Sequence, residues 1–251
     1  MSAPISVEHV DFHYRAKALL TDFNLYVEAG EVLALLGPSG CGKTTVLRLI
    51  LGFETPRRGI VRLGEDIVST SGAILMPPED RGLAVVFQDL ALWPHMTVRG
   101  NLTFGLEGRR VPRHEQHRRI ESLLERLGLR GKELVYPGEL SGGERQRAAI
   151  ARALALEPRA VLLDEPLANL DVRLRRELLG LFRQVFEERG TTVLFVTHDL
   201  REAATLGDRI VIMEDGHLIQ AGTLDELRAT PRSHFVRELL HDLDACEPRH
   251  A

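Results

Sequence analysis

The sequence predicts an α/β protein organised on a mostly parallel sheet, and three observations lead there. Short continuous apolar runs recur at Val32–Leu36, Leu83–Phe87, Val161–Leu163 and Val193–Val196, each the size of a strand buried on both faces. Stretches of helical periodicity separate them, the alternation expected of parallel strands joined by crossover helices. Asp215-Gly216 stands between two β-like runs, Ile210–Met213 and Leu218–Ala221, and marks a hairpin late in the chain.

In chain order, Ile5–Tyr14, Phe23–Val27 and Ile60–Leu63 read as a smaller antiparallel sheet laid against the core. Val32–Leu36 feeds a glycine-rich turn at Gly37, and a helix is expected from about Lys43. Between Gln88 and Pro158 strand-like runs give way to helices. Ile120, Leu123, Leu124 and Leu127 share one helical face, and Gly142–Leu156 is alanine-rich with arginines on one side. This stretch, about residues 89–158, is expected to be a helical subdomain inserted into a single domain over 1–251. Two helices at about 223–244 and a polar tail follow.

Composition narrows the function classes. The 251 residues are 44% apolar and 27% charged, ordinary for a globular protein, and a net charge of −4 with 5% aromatics argues against a general nucleic-acid binder. Cys41 and Cys246 are too far apart in sequence to suggest a metal pair or a disulfide framework, which fits a reducing, cytoplasmic compartment. The first ten residues lack the basic and apolar regions of a signal peptide, and the apolar runs are strand-sized. A role at a membrane would therefore need a partner.

Three motifs carry chemistry. Gly37-Pro38-Ser39-Gly40-Cys41-Gly42-Lys43-Thr44 fits the phosphate-binding loop pattern between a buried strand and a helix. Glycines there let backbone N–H groups face phosphate oxygens, and the helix N-terminus adds positive charge. Lys43 is placed to reach the β- and γ-phosphates and Thr44 to hold Mg²⁺. Ala160–Leu163 deliver Asp164 and Glu165 to the C-terminal end of a strand, where α/β proteins place ligands. Asp164 would hold Mg²⁺ through water, and Glu165 would polarise the attacking water. Leu140-Ser141-Gly142-Gly143-Glu144-Arg145-Gln146 opens another helix with a hydroxyl and bare N–H groups. Two phosphate cradles in one chain suggest that the second serves a nucleotide held by another copy.

The order of these motifs, with Gln88, Asn169-Leu170-Asp171 and Thr197-His198-Asp199, resembles the nucleotide-binding subunits of ABC transporters from about Val7 to Ala221. The resemblance implies a P-loop NTPase (RecA-like) core with antiparallel β and inserted helical subdomains, and hydrolysis of ATP with Mg²⁺ in a head-to-tail dimer. ATP would lie between Gly37–Thr45 of one subunit and Ser141, Gly142 and Gly143 of the other. Tyr14 matches the aromatic that stacks on adenine, Gln88 the glutamine that contacts Mg²⁺ and water, His198 the histidine that bonds the γ-phosphate, and Asp171 the aspartate that links the two sites. Glu144 departs from the pattern, which usually has glutamine there.

Gln88–Val98 resembles the groove that accepts a permease helix. Trp93, the chain's single tryptophan, suits an interface anchor, or else packs among the helices. Met76–Arg81 and Leu167–Asp171 resemble the importer branch serving ferric iron, polyamines, sulfate, molybdate, thiamine or sugars, here too short for a C-terminal regulatory domain. Expected partners are a second ATPase subunit, transmembrane permease subunits and an extracytoplasmic solute-binding protein, with the chain at the cytoplasmic face of the cell membrane. The alternatives are a soluble ABC ATPase and an exporter subunit. Two arginine-rich runs, 109–119 and 173–176, read as solvated helix faces paired with residues such as Glu121 and Glu125, or as contacts to acidic headgroups.

Overall fold

The computed structural model describes residues 2–15, 17–168 and 170–245, so Asn169 and Cys246 lie outside the described residues. Two sheets form the frame. The larger is six-stranded, in the order β11-β10-β3-β9-β8-β7. Its strands are β3 (Val32–Leu36), β7 (Leu83–Val86), β8 (Ala160–Asp164), β9 (Val193–Thr197), β10 (Arg209–Glu214) and β11 (His217–Gly222). All neighbours are parallel except β10 and β11, which form the expected hairpin. Asp215 and Gly216 both have positive φ at its tip, 46° and 79°, the handedness a two-residue turn needs to follow the twist of the strands.

The smaller sheet is antiparallel, ordered β2-β1-β4-β5-β6, from β1 (Ile5–Tyr14), β2 (Lys17–Val27), β4 (Arg58–Leu63), β5 (Asp66–Thr70) and β6 (Ala73–Ile74). Here β2 begins six residues before the apolar run that announces it. Its first half buries only Leu20 against mostly exposed neighbours, so it lacks a continuous apolar signal. The five-residue β5 and the two-residue β6 were likewise not legible, being held by backbone pairing to β4 and to each other.

The parallel strands are buried on both faces for a visible reason. In β3, Val32, Ala34 and Leu36 belong to one core, while Leu33 and Leu35 belong to another. The second core is shared with the antiparallel sheet and with α1 (Lys43–Leu51). The first takes the helices between β7 and β8, namely α2 (Val98–Gly108), α3 (Arg113–Arg126) and α4 (Gly142–Ala155). Leu102, Leu106, Ile120, Leu123, Leu124 and Leu127 are buried in that core beside Val86, Val161 and Leu163. Each such side chain contributes about 1.5–3 kcal/mol by leaving water. The helices therefore share the sheet's core rather than having one of their own. The same face takes α5 (Val172–Arg189) and α6 (Leu200–Leu206), then α7 (Leu224–Ala229) and α8 (His234–Ala245).

The ladder registers set the strand ends side by side. Leu36 pairs with Thr197, Asp164 with Val196, and Val86 with Leu163. Gly37, His198, Glu165 and Gln88 consequently emerge along one edge of the sheet.

One side chain ties the antiparallel sheet to α1. The Arg81 guanidinium is fully buried and donates to the carbonyls of Leu49, Ile50, Met76 and Val68 and to the Ser69 hydroxyl. Two of those carbonyls end α1, where a cation complements the helix dipole. Gly52 has φ 83°, and a Cβ there would lie 2.6 Å from the guanidinium.

Candidate functional site

The glycine-rich loop is shaped by close backbone approach. A Cβ on Gly37 would lie 2.4 Å from the Met213 carbonyl, so only glycine fits. Gly40 and Gly42 have φ of 83° and 112°, and Gly42 caps α1. The hairpin turn supports the loop from beneath, because the Gly216 N–H donates to the Cys41 carbonyl at 3.1 Å. Leu20 of β2 lies 3.0 Å from where a Gly42 Cβ would be. Cys41 is buried, and burial pushes its thiol pKa up, which makes it a packing residue with little thiolate character. Pro38, Ser39 and Thr44 are exposed, Thr45 half-buried, and Tyr14 is 62% exposed at the far tip of β1.

Lys43 is buried, and its Nζ donates to the carbonyls of Gly37 at 2.7 Å and Pro38 at 3.0 Å. Asp164, at the end of β8, has its carboxyl pushed upward by burial and by the neighbouring Glu165 charge. The Lys43 charge and a hydrogen bond from Thr44 pull it the other way. The structure thus gathers Lys43, Thr44 and Asp164.

Glu165 sits in left-handed backbone, φ 45°, uncommon for a non-glycine residue. Its N–H donates to the Val196 carbonyl at 3.1 Å, fixing the turn to β9. His198 Nδ1 lies 3.0 Å from Glu165 Oε2, a hydrogen bond in which the ring donates. Gln88 is exposed two residues beyond β7. Asp171 caps α5 by accepting from the Leu174 N–H at 3.0 Å.

Ser141, Gly142 and Gly143 open α4, but what packs on them is another part of the chain. A Cβ on Gly142 would meet Leu170 at 3.2 Å, and one on Gly143 would meet Leu174 at 2.9 Å. Gln146 donates to the Pro166 carbonyl at 2.8 Å. The second cradle is thereby seated on the segment that follows Glu165. Glu144 has a local role: its carboxylate accepts from the Ser141 N–H at 2.8 Å, while the Ser141 hydroxyl accepts from the Glu144 N–H. That capping box, with Lys132 at 3.1 Å, holds the Glu144 pKa down to about 2.

Several neighbours carry no sequence signal. Met213 and Gly216 shape the phosphate loop from a hairpin about 175 residues away. Arg175 and Glu202 lie behind His198. The first arginine run is ion-paired along its helix, as expected of a solvated face, but with other partners than Glu121 and Glu125. Arg118 and Arg119 pair with Glu115, while Glu121 pairs with Arg99 and Glu125 with Arg130. Arg175 is drawn inward by Asp199 and Glu202. Trp93 is half-buried, its ring 4.6 Å from Phe104 and 5.0 Å from the Arg152 guanidinium. It packs among the helices and keeps one side exposed. Among the described residues no helix is long and apolar enough to cross a membrane.

The family model described as ABC transporter matches residues 20–168, more than half of the chain. The chain belongs to the ABC transporter family. ABC relatives cover most of it. The sulfate/thiosulfate import ATP-binding protein of Mesorhizobium japonicum is 45% identical over 92% of this chain and 67% of its own. The Fe(3+) ions import ATP-binding protein of Rhizobium etli is 40% identical over 97% and 68%. The trehalose/maltose import ATP-binding protein of Thermococcus litoralis is 46% identical over 86% and 58%. The chain thus spans 58–68% of the length of these ABC relatives. Among solved ABC structures, cbiO1 of Clostridium perfringens, part of the transporter complex cbiONQ, superposes with a TM-score of 0.84 at 27% identity, covering 99% of this chain and 97% of that one.

Proposed function

We propose that this chain is an ATPase subunit that binds ATP with Mg²⁺ and powers import of a small solute through membrane permease subunits. The observation that carries this reading is the meeting of three groups at adjacent strand ends: the buried Lys43 ammonium, the Asp164 carboxylate under the influence of Lys43 and Thr44, and the Glu165–His198 pair. A buried ammonium held by loop carbonyls is a poorly compensated cation, and it suits a phosphate anion. A carboxylate whose charge is disfavoured by burial and by a second carboxylate suits a divalent cation beside it. The residues present therefore fit both groups.

Pro38–Thr45 would surround the phosphates, with Tyr14 on the adenine and Thr44, Gln88 and Asp164 as the Mg²⁺ side of the pocket. Bound Mg²⁺ supplies charge neutralisation on the phosphate oxygens. Glu165 accepts the proton of the attacking water, and the His198 N–H holds its carboxylate in place until the proton arrives. Lys43 stabilises charge on the terminal phosphate. Ser141–Gly143 of a second copy complete the site, and Asp171 meets that copy.

The chain acts as one ABC ATPase domain whose helical subdomain, about 89–158, faces the permease at the cytoplasmic side of the cell membrane. The names of the relatives support an inorganic ion, a polyamine or another small nutrient as solute, delivered by an extracytoplasmic binding protein. The test is Glu165→Gln: ATP hydrolysis should fall at least about 100-fold while Mg-ATP traps a dimer that co-purifies with a multi-span permease. Near wild-type hydrolysis by that variant overturns the assigned chemistry. Recovery of only ribosomal or DNA-bound partners overturns the transport role.

A further inference from the structure

His198 is 55% exposed, so its own packing does not hold it; its position depends on the residues on either side. Thr197 is buried, donates its hydroxyl to Glu202 Oε2 at 2.6 Å and accepts from the Asp199 N–H at 3.1 Å. The Asp199 carboxylate accepts from the Arg201 N–H and faces Arg175 Nη1 at 3.4 Å. Glu202 is itself buried on α6. Arg175 therefore touches both supports of His198. Its third contact goes elsewhere, because Nη2 donates to the Leu170 carbonyl at 3.1 Å. Leu170 lies against Gly142 and immediately precedes Asp171.

We propose that Arg175 is a positioning residue: one guanidinium couples the Leu170–Asp171 segment to the Thr197–Asp199 segment and so sets His198 against Glu165. The proposal rests on the ATPase reading above and adds a route by which contact at Asp171 reaches the hydrolytic pair within one chain. Arginine suits the task because its planar fork presents donors in several fixed directions, whereas a lysine ammonium is a single point of charge on a flexible stem. The grip is incomplete as the chain stands. Nε lies 3.2 Å from Glu202 Oε1 as an ion pair but off the line of a hydrogen bond.

The test compares full-length wild type, Arg175→Ala and Arg175→Lys by steady-state ATP hydrolysis, and Mg-ATP binding in the same variants carrying Glu165→Gln. Both substitutions should lower kcat by about 2- to 30-fold, the range expected of a coupling residue, and reduce the Hill coefficient for ATP toward 1. The Kd for Mg-ATP should stay within about threefold. Arg175→Lys should keep the wild-type unfolding midpoint without restoring cooperativity, which a merely structural role would not produce. Wild-type kcat and Hill coefficient in Arg175→Lys overturn the proposal. So does a kcat loss that only tracks the folded, nucleotide-binding fraction. Absence of ATP hydrolysis in the wild type would instead overturn the ATPase reading itself, and the inference with it.

Discussion

Replacing Arg81 with methionine isolates what a buried cation contributes to this fold. The substitution keeps much of the volume and removes every donor. Of its five acceptors, Val68 O keeps the Leu75 and Met76 N–H groups, and Leu49 O keeps that of Gly52. Ile50 O, Met76 O and the Ser69 hydroxyl lose the Arg81 donor without another of those bonds to replace it. A buried acceptor left unpaired costs about 1–3 kcal/mol, so three of them set a range of about 3–9 kcal/mol. Relaxation and loss of the charge's own desolvation cost pull this toward the lower end, about 3–5 kcal/mol. Burial depresses the guanidinium pKa only to about 10, so it is charged at neutral pH and that cost is present in the wild type. Urea unfolding at pH 7, followed by far-UV circular dichroism and by Trp93 fluorescence, measures the loss. A midpoint shift worth less than about 1 kcal/mol would refute the assignment of Arg81 as the tie between α1 and the antiparallel sheet.

Four further outcomes are expected. Gly37→Ala, with its Cβ 2.4 Å from a backbone carbonyl that cannot swing away, should destabilise the chain by about 2–3 kcal/mol and abolish Mg-ATP binding measured by calorimetry. Gly143→Ala presses on the movable end of Leu174 at 2.9 Å, so a smaller loss of about 1–2 kcal/mol is expected, and adding Leu174→Ala should not worsen it additively in a double-mutant cycle. Glu144→Gln preserves the capping pattern but not the charge. Because the folded pKa is depressed to about 2, wild type should be the more stable protein above the unfolded carboxyl pKa, and its advantage should vanish as pH falls from about 4.5 toward 2 in acid titrations. Trp93→Phe should leave the unfolding midpoint within about 1 kcal/mol, since the Phe104 contact survives, while weakening permease co-purification.

Much of the sheet was legible because its strands are buried on both faces and so write themselves as apolar runs, as Val32–Leu36 does. The five-residue β5, with Val68 its one buried apolar side chain, and the first half of β2, with only Leu20 buried, left no continuous apolar run; pairing with neighbours completes them as strands. The phosphate loop and the Asp164-Glu165 pair were readable because each motif is local in sequence. What surrounds them was not. Met213 against Gly37, Leu174 against Gly143 and Arg175 behind His198 are contacts between distant segments, and a single sequence carries no mark of which distant residue will arrive. Glu144 looked like a departure from pattern; in place it is a helix cap, a role that depends only on its spacing from Ser141.

Strand β7 is the outermost strand of the large sheet and is laddered on one side only, to β8. It leads directly to Gln88 and the helices beyond, whereas β8, which carries Asp164 and Glu165, is clamped between two neighbours. Moving β7 strains one set of hydrogen bonds and moving β8 strains two. The mechanics are those of a soft input arm beside a stiff anvil: a push on the helices can displace Gln88 while leaving Asp164 and Glu165 where they are.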